Sequence, residues 1–293
     1  MTRANASVCF VGGAGHSGST LLGLALGAHP RVFYAGEANK SAHLGDEGTK
    51  ARKRTCKVCG ESCRVWSGIE QRLGDTDLYE ALSERTGRPV ICDTTKSISW
   101  IDKQSTKLAR AGVALHLFFL GRDGRAVIAS SLRKRPETGA AEHAQRWVEQ
   151  IRATEALASR FPGGVTRLRY EALATQPRET LAVAAAALGL TLVPEMLEPW
   201  STEQHPIGGN AGTQSLLEGA RTRPGGELAI GGDKAGYYRE HPRGFVLDVR
   251  WKQELSPEAL AAFERVAGET NVAHAWPDAG SEAGGTEVSE VRA

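Results

Sequence analysis

The chain alternates between short apolar runs and longer segments in which apolar residues recur at helical spacing. The first run, Val8–Val11, leads through a glycine-rich turn into leucines and alanines at helical spacing from Leu21. The run LHLFFL at Leu115–Leu120 is apolar at most successive positions, as strands buried on both faces of a parallel sheet are. These patterns predict a strand, a tight turn and a helix near the N-terminus, and a central strand further along.

The same patterns predict the other elements. Further strands are predicted at Arg31–Tyr34, Val90–Cys92 and Val165–Tyr170. Helices are predicted at 77–86, from a cap at Thr94 or Thr95 toward Arg110, and at 126–132, 140–161, 180–188 and 256–268. Strands that alternate with helices over short connections predict an α/β fold, here a single P-loop-like domain whose central parallel sheet is flanked by helices.

Two segments interrupt this alternation. Residues 38–80 are polar and basic and contain three cysteines, which indicates an insertion over an edge of the sheet. Residues 201–244 are dense in glycine and are expected to form a mobile cover over the site. One domain is therefore expected over residues 1–276, followed by a small, acidic and polar tail, 277–293, that is expected to be disordered.

Composition limits the classes of partner. The formal net charge is +2 and 24% of the residues are charged, which gives no indication of a nucleic-acid partner. No apolar run approaches the roughly 18 residues of a membrane span, so no membrane association is expected and a cytoplasmic location is the default. The oligomeric state cannot be deduced from the sequence.

The turn after the first predicted strand has the composition of an anion-binding loop. Glycines permit positive φ angles and let a ligand approach the backbone, and the dipole of a helix favours an anion at its N-terminus. The turn is therefore expected to hold a phosphate or sulfate group rather than to be only a flexible loop. Its candidate binding residues are Gly15, His16, Ser17, Gly18, Ser19 and Thr20.

This loop departs from that of nucleoside-triphosphate enzymes. Gly13 and Gly18 have the G-x-x-x-x-G spacing of a P-loop, but Ser19 stands where the P-loop lysine reaches the outer phosphates. A P-loop kinase or nucleotide hydrolase, which needs that lysine, is one alternative function. A regulatory module that binds a nucleotide without catalysis is another, and it would show binding without turnover.

Polar residues cluster after four of the predicted strands, at 13–20, 36–37, 93–96 and 121–125. Ligands of parallel α/β sheets bind beyond the carboxyl ends of the strands. We therefore expect these four clusters to form one composite site.

Three of the five cysteines form the pattern Cys56-x-x-Cys59-x-x-x-Cys63. An odd number of cysteines in a chain expected to be cytoplasmic argues against a disulfide scaffold. The cluster has three potential zinc ligands, with His43 as a conceivable fourth, but it lacks a second CxxC pair. Reduced thiols that pack against Trp66 are the favoured interpretation, so no metal is expected; a zinc-dependent interaction element is the alternative.

Four motifs in order resemble the sulfotransferases that use 3′-phosphoadenosine 5′-phosphosulfate (PAPS), over roughly residues 8–268. GAGHSGSTLL at 13–22 is similar to the family's loop for the 5′-phosphosulfate, and GRDGRAVIASSLRK at 121–134 to its 3′-phosphate motif. RYEAL at 169–173 resembles its Tyr-Glu segment, and HPRVFYAGE at 29–37 with the Lys96 segment resembles the tyrosylprotein branch and many bacterial members.

The resemblance implies roles for individual residues. The 3′-phosphate motif implies that Arg122, Ser130 and Lys134 bind the nucleotide, and the Tyr-Glu segment implies that Tyr170 lies by the adenine. Arginine can grip a phosphate through two parallel N–H bonds. The competing interpretation of Arg122 is a surface ion pair with Asp123, which would be worth little.

The implied reaction is in-line transfer of the sulfuryl group of PAPS to a hydroxyl of a small-molecule or peptide acceptor, without a metal. Glu37 is expected to be the general base, with His16 or His205 as competing assignments. Lys96 and His16 are expected to stabilise the charge on the leaving oxygen. The family often has arginine or lysine at the position of His16, whose charge depends on pH near neutrality; otherwise His16 is a turn histidine bonded to backbone.

Overall fold

A computed structural model of the protein describes residues 3–69, 71, 73, 77–218 and 243–276. Its central feature is a five-stranded sheet in the order β2-β3-β1-β4-β5, in which every neighbouring pair is parallel. The strands are β1 (Ser7–Gly12), β2 (Val32–Gly36), β3 (Val90–Asp93), β4 (Ala114–Gly121) and β5 (Gly164–Arg169). The predicted α/β architecture is confirmed.

Helices connect the strands, and further helices come after the last strand along the chain. They are α1 (Ser19–Gly27), α2 (Ala51–Arg54), α3 (Leu78–Thr86), α4 (Ile98–Arg110), α5 (Gly124–Lys134), α6 (Ala140–Ala158), α7 (Tyr170–Thr175), α8 (Pro177–Ala187), α9 (Ala211–Gln214), α10 (Trp251–Glu254) and α11 (Pro257–Asn271). Short 3₁₀-helices occur at Ala38–His43, Pro194–Leu197 and Pro199–Ser201.

The central strand β1 contributes to the core on both faces of the sheet. Its side chains alternate: Cys9 and Val11 belong to a cluster with α1 and α8, whereas Val8 and Phe10 belong to a cluster with α3 and α4. All four side chains are fully buried. This explains why the run is continuously apolar, since a strand covered by helices on both faces has no solvent-facing side.

The predicted bounds differ from those of the structure by up to three residues, and two of the differences change the role of a named residue. Ser97, rather than Thr94 or Thr95, caps α4, because its hydroxyl accepts the backbone N–H of Trp100. Tyr170 begins α7 instead of ending β5. Residues 219–242 of the expected cover and the tail 277–293 lie outside the described residues.

The insertion and the described part of the cover meet at the β2 edge of the sheet. Ile207 pairs in parallel with Gly36 and antiparallel with Cys56. Its backbone N–H donates to the carbonyl of Ala35, and its carbonyl accepts the N–H of Glu37 at 2.7 Å. These bonds extend the sheet edge and fix the backbone on which Glu37 lies.

Candidate active site

The loop after β1 makes the tight turn that its glycines predict. Gly13 has a φ of 124°, and an added Cβ there would collide with the carbonyl oxygen of Leu120. Gly18 has a φ of 88° and ends the loop immediately before α1, where an added Cβ would lie 2.5 Å from the ring of Tyr170. Among the described residues other than glycine, His16 alone has a positive φ, 64°. The loop therefore has a fixed, compact shape at a helix N-terminus.

Arg122, which follows β4, is held against this loop. Its Nη1 donates to the carbonyl oxygen of His16 at 2.8 Å, and its guanidinium carbon lies 4.1 Å from the centroid of the Tyr170 ring. The side chain is 7% exposed, which excludes a surface ion pair with Asp123. Asp123 instead caps α5 by accepting the N–H of Arg125.

Ser130 of α5 reaches the same loop. Its hydroxyl lies 3.0 Å from Nδ1 of His16, so His16 contacts both of the residues that the sequence assigned to one phosphate. Within the described residues, Ser17 Oγ and Arg122 Nε are buried and have no hydrogen-bond partner. Buried polar atoms are normally satisfied, so this pair of orphaned atoms fits a site for a polar ligand.

His16 lies in a strongly cationic environment. Burial, followed by the charges of Lys134, Arg122, Lys96 and Arg133, lowers the pKa of His16 to about 4. The imidazole is therefore neutral near pH 7. The influence of four residues from three segments also indicates that their positive charges converge on this loop, where an anion would be stabilised.

Asp248 is a member of this cluster that the sequence did not indicate. Its carboxylate lies 3.4 Å from Nη2 of Arg122 and 2.8 Å from Nε of Arg250. Although burial opposes it, hydrogen bonds from Arg250 and the charge of Arg122 hold the pKa of Asp248 well below its usual range. The backbone N–H of Asp248 also donates to the hydroxyl of Tyr170. No local pattern distinguishes Asp248, because the site residues that it contacts, Arg122 and Tyr170, lie far from it in sequence.

Glu37 and Lys96 form the second part of the site. Glu37 follows β2 and Lys96 follows β3, which are neighbours in the sheet, and their carboxylate and ammonium groups are 3.7 Å apart. Burial lowers the pKa of Lys96, while the charge of Glu37 raises it. Lys96 also donates to the carbonyl of Thr94.

Asp93 organises the backbone around this pair. It is fully buried, and one carboxylate oxygen accepts the N–H groups of Ala38 and Thr95, the neighbours of Glu37 and Lys96. The other oxygen accepts the hydroxyl of Tyr79 at 2.8 Å and the indole N–H of Trp100 at 3.0 Å. The sequence placed Asp93 after a strand but did not indicate this role.

The start of the expected cover packs directly on both parts of the site. Gly208 lies so close to Glu37 that an added Cβ would be 2.9 Å from the Glu37 Cβ. The backbone N–H of Asn210 donates to Oγ1 of Thr20 at 3.0 Å. The described part of the segment, up to residue 218, thus connects the loop after β1 with the end of β2.

The remaining candidates lie where the sequence placed them, at the loop and the far end of α5. Ser19 and Thr20 are buried in the first turn of α1, and Gly15 is exposed at the tip of the loop. Lys134 ends α5 with an exposed side chain. His205, a competing candidate for the base, lies elsewhere: its ring contacts Cys59 and Cys63.

A family model described as "Sulfotransferase family" matches residues 9–195, which is more than half of the chain. The chain belongs to the sulfotransferase family. The matched region contains the loop after β1, Glu37, Lys96, Arg122, Ser130 and Tyr170.

Solved structures of sulfotransferase domains share the fold of this sulfotransferase. A domain from the curacin biosynthetic pathway is 17% identical with a TM-score of 0.57, over 94% of this chain and 100% of that one. A domain from the olefin synthase of Synechococcus PCC 7002 is 18% identical with a TM-score of 0.56, over 94% of this chain and 98% of that one. No curated protein sequence matches the chain. None of the helices in the described ranges has the length and apolar character needed to cross a membrane.

Proposed function

We propose that this sulfotransferase moves the sulfuryl group of PAPS to a hydroxyl of a small-molecule or peptide acceptor, with Glu37 as the general base. The observation that carries the proposal is the convergence of Arg122 and Ser130 on His16 in the loop after β1. Three separate segments thereby supply donors and positive charge to one place at the carboxyl ends of β1 and β4, where ligands of such sheets bind.

The donor is assigned to this place because its residues fit two anionic groups. The start of α1, with Ser19 and Thr20, suits the 5′-phosphosulfate, since a helix N-terminus favours an anion. Arg122 and Ser130 suit the 3′-phosphate, and the unpartnered Nε of Arg122 leaves a donor for it. Tyr170, stacked on Arg122 and packed on Gly18, is assigned to the adenine side.

In the transfer step, Glu37 takes the proton of the acceptor hydroxyl as its oxygen bonds to sulfur. The bond between sulfur and the bridging phosphate oxygen breaks, and adenosine 3′,5′-bisphosphate leaves with the electron pair. Lys96, paired with Glu37, supplies positive charge for the leaving oxygen, and His16, neutral near pH 7, supplies a hydrogen bond. These residues provide the electrostatic stabilisation, and no step of the reaction is assigned to a metal.

The test is incubation of the protein with ³⁵S-labelled PAPS and a panel of phenols, sugars, tyrosine peptides and other alcohols. Transfer of label to at least one acceptor is expected. A parallel thermal-shift measurement compares adenosine 3′,5′-bisphosphate with ATP and Mg²⁺, because a ligand of the native state raises the melting temperature. Stronger stabilisation by ATP would favour the kinase alternative, and stabilisation by the bisphosphate without transfer to any acceptor would favour the non-catalytic module.

A further inference from the structure

The cysteines of the insertion meet a histidine from the start of the cover. The ligand atoms of Cys56, Cys59, Cys63 and His205 all lie within 4.8 Å of one another. Nδ1 of His205 is 3.2 Å from the sulfur of Cys59 and 3.6 Å from that of Cys63. The sequence offered His43 as a fourth ligand; the fold supplies His205 instead, 142 residues beyond Cys63.

We infer that these four residues bind one structural zinc ion. Three thiolates and one imidazole are a usual ligand set for tetrahedral structural zinc, with Zn–S near 2.3 Å and Zn–N near 2.0–2.1 Å. Tetrahedral angles then place a sulfur and a nitrogen ligand about 3.6 Å apart. The Cys63 distance of 3.6 Å equals this value, and the Cys59 distance of 3.2 Å is shorter than it. Four protein ligands leave no position open for a substrate.

The groups around the cluster orient it as the outer residues of a zinc site do. The other ring nitrogen of His205, Nε2, lies 3.1 Å from a carboxylate oxygen of Glu203. Such a carboxylate fixes the ring so that the opposite nitrogen faces the metal. The carbonyl of His205 also accepts the indole N–H of Trp66 at 2.6 Å, which fixes the backbone.

The backbone of the insertion turns its first two cysteines toward the same point. The N–H of Cys59 points to the sulfur of Cys56 at 3.4 Å, and the N–H of Gly60 donates to the carbonyl of Cys56. Gly60 has a φ of 69°, a conformation that glycine adopts without strain. Cys56 and Cys63 are fully buried and Cys59 is partly exposed, so the site is enclosed yet reachable from solvent.

The proposed zinc joins two distant segments at the edge of the sheet. His205 is two residues from Ile207, which pairs with both Gly36 and Cys56. Zinc that binds these ligands only in the folded chain is expected to raise stability, because its binding free energy adds to that of folding. This site is separate from the residues assigned to PAPS, and the inference does not depend on the proposed function.

The first test is elemental analysis of a tag-free chain purified under reducing conditions without chelator. One zinc per chain is expected in the parent, and little or none in Cys59→Ser and His205→Asn. Cys9→Ala and His43→Ala are the matched controls, because Cys9 lies in β1 and His43 lies outside the cluster, and both are expected to keep the zinc.

A second measurement uses only the parent chain, so it tests the inference even if the variants fail to fold. In the parent chain, cobalt exchanged for zinc is expected to show a thiolate charge-transfer band and the visible bands of tetrahedral cobalt. Removing zinc with a strong chelator is expected to lower the melting temperature, and zinc, but not magnesium, is expected to restore it. A folded parent without zinc, zinc retained in Cys59→Ser and His205→Asn, or a disulfide within the cluster in the native chain would each overturn the inference.

Discussion

Glu37 follows β2, and hydrogen bonds from two sides hold the backbone around it. Its own N–H donates to Ile207, and the N–H of the next residue, Ala38, donates to Asp93. Its carboxylate lies 3.7 Å from the ammonium of Lys96. A carboxylate fixed in this way can face an acceptor hydroxyl without reorganising, which is what a general base requires.

We predict that Glu37→Gln slows sulfuryl transfer by roughly 10²–10⁴-fold, because the amide keeps the shape but cannot take the proton. Binding of adenosine 3′,5′-bisphosphate should stay nearly unchanged. Single-turnover transfer to the acceptor found in the panel measures the effect, and Glu47→Gln, at an exposed position of the insertion, is the control. Transfer by Glu37→Gln at near the parent rate would show that another group, with His16 the next candidate, is the base.

Arg122 is the second residue whose role can be isolated. We predict that Arg122→Ala loses most of the rise in melting temperature caused by adenosine 3′,5′-bisphosphate, because the guanidinium charge and its unpartnered Nε donor for the 3′-phosphate are gone. Each shift is measured against the same variant without ligand. Arg160→Ala is the control, since Arg160 is half-exposed and pairs with Asp102. An undiminished shift in Arg122→Ala would remove Arg122 from the nucleotide site.

At the scale of elements, the site depends on how closely the segment after Ile207 packs on the end of β2. Gly208 has a φ of 68°, and its missing side chain leaves room for the Cβ of Glu37 and for Lys40. An added Cβ at Gly209 would lie 2.6 Å from the side chain of Gln214 and 3.3 Å from that of Thr20. These contacts make the position of the carboxylate depend on a segment 170 residues away in sequence.

We predict that Gly208→Ala displaces Glu37 and slows single-turnover transfer, by up to roughly 10²-fold, while nucleotide binding is retained. Gly189→Ala is a matched control: Gly189 has a φ of 66° but open space around it, so this variant carries the backbone strain of about 1–2 kcal/mol without the collision. Equal transfer rates in the two variants would show that the contact with Glu37 does not matter for the reaction.

At the scale of the whole molecule, buried histidines couple stability to pH. Burial lowers the pKa of His116 to about 4, whereas a histidine in the unfolded chain titrates near 6.5. Between these values the unfolded chain binds a proton that the folded chain does not. The free energy of unfolding therefore falls as the pH is lowered from about 6.5 toward 4.

Lowering the pH from 7 to 5 decreases the free energy of unfolding of both proteins. We predict that the decrease is about 2 kcal/mol smaller in His116→Gln than in the parent, because glutamine takes up no proton. Denaturant midpoints at the two pH values measure the difference. His16, whose pKa is also about 4, keeps part of the pH dependence in the variant. An equal loss of stability in the parent and His116→Gln would contradict the burial of a neutral ring at position 116.

The sequence by itself determined the α/β class, the strand–loop–helix at the N-terminus and the residues of the motif loops. These features depend on local chemistry: an apolar run such as Val8–Val11 has to be buried on both faces, and Gly13 and Gly18 permit the backbone of the loop. The carboxyl ends of parallel strands lie at the same end of the sheet, so the sequence also predicted one composite site that contains Glu37 and Lys96. That β2 and β3 are neighbours, which brings the two side chains to 3.7 Å, was decided by the fold.

Only the tertiary structure decided which distant residues complete these sites. Asp248 joins Arg122, Gly208 meets Glu37, and His205 replaces His43 beside the cysteines. The sequence did not indicate these particular contacts, because they follow from how segments after the last strand fold back over the sheet. Such contacts depend on packing between parts of the chain that are far apart in sequence. Local sequence patterns carry no information about that packing.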